Sequence, residues 1–332
     1  MGITSRILVL FLVSNLAMQS VHSQNPSFSQ FYGNPLYLNP ALAGNKICPR
    51  ITLNYRNQWP SIPGAYTTYS ASIDSYIDFM RGGVALMVVS DQAGNGVFSN
   101  TMVSGLYSYH LNLSRSVLLN VGFQATYHQL SLDWNRLTFD DQLTGVPGPL
   151  PPSSQTPPQN LSRGFPDFSA GFIAGIDQRY YFGFAAHHLT QPSIGFYNEE
   201  ADHLNMKITV HAGAIFDLEM PFRQEDFDRI PSISPNILYQ QQGEFRQLNV
   251  GTQLNYYPFV VGLWFRHNFD NPDAAIILLG LQHNRLHFGY TFDYNVSRIG
   301  FAGGGAHEIS LAWHLPCPEK RERIRAIKCP RF

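Results

Sequence analysis

Between residues 51 and 315 the chain repeats one pattern, segments of about ten residues in which apolar and polar side chains alternate with period two. In 285–294, Leu286, Phe288, Tyr290, Phe292 and Tyr294 fall on one face, and Arg285, His287, Gly289, Thr291 and Asp293 on the other. In 117–128, Val117, Leu119, Val121, Phe123, Ala125 and Tyr127 oppose Leu118, Asn120, Gly122, Gln124, Thr126 and His128. The last such segment sets Ile309, Leu311, Trp313 and Leu315 against Glu308, Ser310, Ala312 and His314. Side chains on a strand repeat every two residues, and alternation over this length suits a strand that crosses a membrane with lipid on one face. No apolar run approaches the roughly 20 residues of a membrane-spanning helix.

Segments of this kind number about 14, an even count as in single-chain bacterial barrels. They lie near 51–59, 65–74, 82–91, 98–111, 116–130, 167–177, 179–188, 206–217, 233–241, 245–256, 258–267, 273–282, 284–293 and 307–315. The expected fold is therefore all-β, a transmembrane antiparallel β-barrel. Composition agrees: 14% of residues are charged, 14% aromatic and 44% hydrophobic, with a mean hydropathy of -0.14. A net charge of -1 excludes a general polyanion binder, nucleic acid included, and a highly charged disordered chain. The 27 Gly and 22 Pro show no fixed period, which excludes collagen-like and repeat architectures.

The connections give a second test, because such barrels alternate short inner turns with long outer loops. With the N-terminus inside, the inner turns include 112–115, 177–178, 257–258 and 283–284, all tight. The outer loops include 57–64, 92–97, 131–166, 189–205 and 294–306. Only 218–230 breaks the rule, and it reads as a short helix or a contact surface. The loop 131–166 carries Pro147, Pro149, Pro151, Pro152, Pro157 and Pro158, which favour an extended course.

Flanking segments divide the rest. Residues 1–23 read as an export signal, with Arg6, an apolar stretch from Ile7 to Val13, and Val21-His22-Ser23 before the cleavage point. Residues 24–50 form an aromatic-rich strap in which Pro26, Pro35 and Pro40 forbid a regular strand, and it is expected to lie inside or beneath the barrel. The barrel follows over 51–315, then a basic tail over 316–332. In the tail, Lys320, Arg321, Arg323, Arg325, Lys328 and Arg331 outnumber Glu319 and Glu322. Cys48, Cys317 and Cys329 permit one disulfide in an oxidising compartment. Cys48–Cys317 and Cys317–Cys329 are competing pairings.

Chemistry is sparse. No glycine-rich phosphate loop and no G-x-S-x-G elbow appears, so neither an enzyme nor a cofactor is expected. The cysteines lack C-x-x-C spacing. His187 and His188, adjacent on a strand, are expected to face opposite sides. His283 and His287 on one strand would stand about 13 Å apart, too far for one ion. No metal site is assigned. Asn120, Gln124, His128, Asn249, Gln253 and Asn255 read as polar lumen lining, and Trp59, Tyr107, Tyr109, Trp264 and Trp313 as interfacial girdle.

The strap carries a resemblance. Phe28-Ser29-Gln30-Phe31, Asn34-Pro35-Leu36 and Asn39-Pro40-Ala41 with Gly44 are similar to the opening motif of the PorP/SprF family of type IX secretion system outer-membrane proteins. Tyr55-Arg56-Asn57-Gln58-Trp59, Gly82-Gly83, His188-Leu189-Thr190-Gln191-Pro192 and His307-Glu308-Ile309-Ser310-Leu311 extend the resemblance to about Leu315. It implies a barrel of the bacterial outer membrane, termini in the periplasm, that serves secretion and gliding motility. Implied partners are an exported adhesin or its C-terminal secretion domain, periplasmic components of the machinery, and membrane lipids. It brings no catalytic residue. The expected contacts are Trp59, Pro152 and Phe301 in outer loops, and Phe222 and Arg323 on the inner side. A transporter for small solutes, with the strap as an internal hatch, is the alternative.

Overall fold

The structure, a computed structural model, describes residues 25–46, 48–143, 151–197, 202–218, 230–269, 271–296, 303–316 and 326–328. The export signal and the contacts Phe222, Phe301 and Arg323 lie outside these residues.

The strands are β1 (Arg50–Gln58), β2 (Tyr66–Ile77), β3 (Gly82–Ala93), β4 (Phe98–Asn112), β5 (Val117–Leu132), β6 (Ser162–Ile176), β7 (Tyr180–His187) and β8 (Lys207–Ala214). They continue with β9 (Phe216–Asp217), β10 (Ser232–Gln242), β11 (Phe245–Tyr256), β12 (Phe259–His267), β13 (Pro272–His283), β14 (Leu286–Asn295) and β15 (Ala306–His314). Consecutive strands pair antiparallel, and β1 pairs with β15 from Arg50–His314 to Gln58–Ala306, which closes the sheet. Fourteen strands make the barrel. The two-residue β9 prolongs β8 on β10, since Gly213–Asn236 and Phe216–Ile233 belong to one register. The interruption lies opposite Pro235, which has no N–H to donate.

Alternation sets the faces as the sequence pattern requires. On β5, Phe123 is 50% exposed and Gln124 only 7%. Leu86, Leu263, Leu279, Phe288 and Ile309 likewise point outward to form the lipid-facing band. No helix among the described residues is long and apolar enough to cross a membrane. Short connections gather at the end that also holds Arg50 and His314, except the one from Asp217 to Ser232, and the long loops lie at the other end, which also has the tight turn between Gln242 and Phe245.

Two expectations need correction. Strand β6 starts at Ser162, not near 167, and so contains Pro166. That residue lies beyond the last β6–β7 pair, Ala170–Ala186, where a missing N–H costs no ladder bond on that side. Trp264 is not in an interfacial girdle. It shares the inward phase of β12 with Val260 and Arg266 and is buried in the lumen.

The barrel has an interior core because the strap runs through it. Within the strap, α1 (Pro35–Leu38) begins with proline, and a 3-10 turn follows at Pro40–Leu42. Leu36, Leu38, Ala41, Leu42 and Ala43 are almost wholly buried. One apolar cluster joins Phe31, Tyr32, Leu38 and Leu42 to wall residues such as Leu118, Ile173, Leu238 and Ile276. A second joins Leu36 and Ala43 to Met87, Val89, Met102 and Leu106.

The wall is cut to fit the strap. A Cβ at Gly122 would collide with the backbone of Pro40 and Ala41, and one at Gly83 with Ala43 and Gly44. Both clashes are with backbone, which cannot swing aside as a side-chain tip can. Gly122→Val should therefore weaken strap seating by about 1–3 kcal/mol, the usual cost of overpacking. Limited proteolysis of the folded barrel should show faster cleavage within 25–46. Val117→Leu, on the lipid side of the same strand, should leave cleavage unchanged.

Candidate functional site in the barrel lumen

The strap is fixed at three places, each by residues whose types the contacts demand. At the first, Ser29 and Gln30 meet a charge network from five neighbouring strands. The backbone N–H groups of Ser29 and Gln30 donate to the two carboxylate oxygens of Glu308, at 2.7 and 3.2 Å. The Ser29 hydroxyl donates to Asp293 at 2.6 Å and accepts from Arg56 at 2.7 Å. Arg56 bridges Asp293 and Glu308 at 3.1 and 3.2 Å. Arg266 reaches Asp293 at 2.9 Å and also pairs with Asp273. Arg56, Asp293 and Glu308 are all buried, so each charge depends on its partners and on the strap for the contacts that water would otherwise provide.

At the second place, Asn39 acts in both directions. Its Oδ1 accepts from the Ala41 N–H at 2.9 Å, capping the 3-10 turn. Its amide nitrogen donates to the carbonyls of Phe172 and Phe184 at 3.0 and 3.2 Å. Asn34 similarly donates to the Ser70 hydroxyl at 3.0 Å. At the third, Gly44 has φ +63°, and its N–H donates to Asp74 at 3.0 Å. Asp74 in turn holds Arg50 through two bonds of 2.9 and 3.0 Å.

Aromatic contacts fill the spaces between these anchors. Phe31 meets Trp264 edge-to-face at 5.7 Å, and Phe28 meets Tyr37 at 5.1 Å. Tyr181 donates to the Tyr32 hydroxyl at 2.7 Å. The strap motif Phe28, Ser29, Gln30, Asn34, Pro35, Asn39, Pro40 and Gly44 is thus wholly internal.

The described tail residues also enter the barrel. Ile327 is buried against Gly175, and its backbone N–H and carbonyl bond the Asn45 side chain at 3.1 and 2.9 Å. This part of the tail is packed, not solvated, because Ile327 completes the apolar cluster at the short-turn end. Cys48 is disulfide-bonded, and its partner lies outside the described residues.

Of the expected outer contacts, Trp59 is half-buried at the long-loop rim, where its N–H donates to Gly305 at 2.8 Å. Pro152 is exposed. The reading of His187 and His188 as facing opposite sides is overturned. The strand ends at His187, and His188 takes a left-handed backbone with φ +59°, so both line one lumen cavity. There His188 lies 2.7 Å from Asp167, which also approaches His128 at 3.7 Å. Burial holds the His188 imidazole below its ordinary value, against the opposing pull of Asp167. Treating each strand alone missed this cluster. The signal for it was a carboxylate on the inward phase of β6 beside a histidine on the inward phase of β5.

The charge network makes a quantitative expectation. Arg56→Leu takes from buried Glu308 its cation and leaves Asp293 with Arg266, and should destabilise the barrel by about 3–5 kcal/mol. This would be read as a lowered denaturation midpoint in detergent with unchanged slope. Arg285→Leu, in a turn away from the network, serves as the control and should change the midpoint little.

Comparisons with known proteins enter against this geometry. Residues 20–313 match the family model described as type IX secretion system membrane protein PorP/SprF. No curated protein sequence matches. Among solved structures, Omp33 of Acinetobacter baumannii is 10% identical over 82% of this chain and 100% of its own, with a TM-score of 0.42. A TodX deltaS2S3 mutant monoaromatic hydrocarbon channel is 10% identical over 83% and 92%, with a TM-score of 0.45. A Pseudomonas aeruginosa FadL homologue is 11% identical over 83% and 92%, with a TM-score of 0.41. The match to the family model takes in the strap and nearly every strand of the barrel: the chain belongs to the PorP/SprF family of type IX secretion system membrane proteins.

Proposed function

We infer that this outer-membrane barrel works by binding, holding an exported adhesin at its long-loop rim and docking to periplasmic secretion or motility components at its short-turn end. The observation that carries this reading is the filled lumen. Residues 25–46 occupy the barrel axis, and Ile327 packs beneath them. Among the described residues, two lumen cavities beside the strap measure about 20 and 10 Å³, room for a water molecule or less. A barrel with this interior offers surfaces at its ends. The long-loop rim supplies the largest insertion, 133–161, with Pro152 exposed. The strap passes from Asn25, beside His188 at the long-loop end, to Gly44, beside Asp74 at the short-turn end. We place the short-turn end, where β1 starts and β15 ends, in the periplasm.

The alternative of a small-solute transporter would require the strap to leave the lumen, and the buried network at Ser29 opposes that. Two measurements separate the readings. Purified full-length barrel in planar bilayers should show no steady ion conductance, whereas deletion of 25–46 should open a pore. The C-terminal secretion domain of an adhesin, used as bait, should retain the solubilised barrel and lose it when 133–161 is shortened. Porin-like conductance from the intact chain, together with no retention, would overturn the proposal.

A further inference from the structure

The cluster at His128, Asp167 and His188 is built differently from the other polar contacts in the lumen. One ligand atom from each residue lies within 4.8 Å of the others, Oδ2 of Asp167 faces Nε2 of His128 and Nδ1 of His188, and all three residues are buried. The geometry points to a site here for one divalent transition-metal ion of the zinc type, with two imidazoles and one carboxylate as ligands.

The donor set suits such an ion, which takes nitrogen and oxygen ligands at about 2.0–2.1 Å in a tetrahedral arrangement. Ligand atoms in that arrangement lie about 3.3 Å apart. The structure has Asp167 at 2.7 Å from His188 and 3.7 Å from His128. One of these must lengthen and the other shorten, each by roughly half an ångström, and the two imidazole nitrogens, within 4.8 Å of each other, must close by up to about 1.5 Å to meet that spacing. A cavity of about 20 Å³ adjoins the three groups, enough for the single water that would complete four-coordination.

The surroundings prepare each ligand. The Thr190 hydroxyl donates to Oδ1 of Asp167 at 2.8 Å, which leaves Oδ2 to face the imidazoles. Oδ1 of Asn100 stands 3.4 Å from Nδ1 of His128, so a proton there leaves Nε2 free to coordinate. Asn25, the first described strap residue, lies 2.6 Å from Nε2 of His188. Turning its amide over presents the carbonyl to an Nε2–H, the outer support a metal-bound histidine ordinarily has. The proton now between His188 and Asp167 would leave as the ion binds. The left-handed backbone at His188 is the local cost of aiming that ring into the lumen. Lys207 lines the same cavity, with its ammonium 5.2 Å from the centre of the Tyr37 ring, and its charge opposes the ion. Lys207→Met should therefore tighten binding.

The test uses full-length protein in detergent micelles, stripped with EDTA and dialysed against zinc chloride. Elemental analysis should find about one zinc per chain. Thr190→Val should weaken zinc binding by about 10–100-fold, and Asp167→Asn or His188→Ala by at least as much. Cobalt(II) in place of zinc should give the intense visible bands of tetrahedral coordination. Folding of each variant is checked by heat-modifiable migration in gels. Should Asp167→Asn fail to fold, His188→Ala at the rim carries the test. Zinc content unchanged in a folded His188→Ala variant, or a cobalt spectrum without tetrahedral bands, would overturn the site.

Discussion

A closed sheet of fourteen strands encloses more space than its own inward side chains can fill, and the chain meets that constraint with its own N-terminal segment. Barrels of about eight strands can be filled by wall side chains alone. Here residues 25–46 serve as the missing core, and the wall has adapted to them. Leucine, isoleucine, methionine and tryptophan occupy inward positions that an open channel would give to polar groups. Gly83 and Gly122 leave hollows where strap backbone lies. The lumen is thus packed like the interior of a soluble protein inside a shell whose outer face meets lipid.

Polar bonding selects one seating for the strap within that apolar packing. Ser29 and Gln30 offer two backbone N–H groups to one carboxylate, and Asn39 closes its own turn while reaching two carbonyls of the wall. These groups would be unpaired in any shifted position, and buried unpaired groups are costly. Hydrophobic burial holds the strap in the barrel, and the hydrogen bonds define its register.

Much of this was legible in the sequence because strands with one lipid face announce themselves by phase. Fourteen segments, their order and most of their inward residues followed from period two alone. Trp264 was misplaced because residue type was allowed to outweigh phase, although Gly262 and Arg266 on the same face marked it as inward. Pro166 fell at the end of the expected loop 131–166, yet it lies within β6, where its position past the end of β7 spares the ladder. The histidine–aspartate cluster was hidden for a different reason. It depends on strands β5 and β6 lying side by side and on a left-handed residue at the end of β7, and neither shows in the periodicity of one segment.

The bonds from Ser29 and Gln30 to Glu308 span nearly the whole chain, with sequence separations of 279 and 278 residues. The strap comes early in synthesis, whereas Glu308 belongs to the last strand. The lining of the barrel therefore cannot reach its final contacts until that strand has arrived and paired with β1. Completion of the wall and locking of its contents are one event, so a chain truncated before β15 would lose both its seam and the anchor of its core.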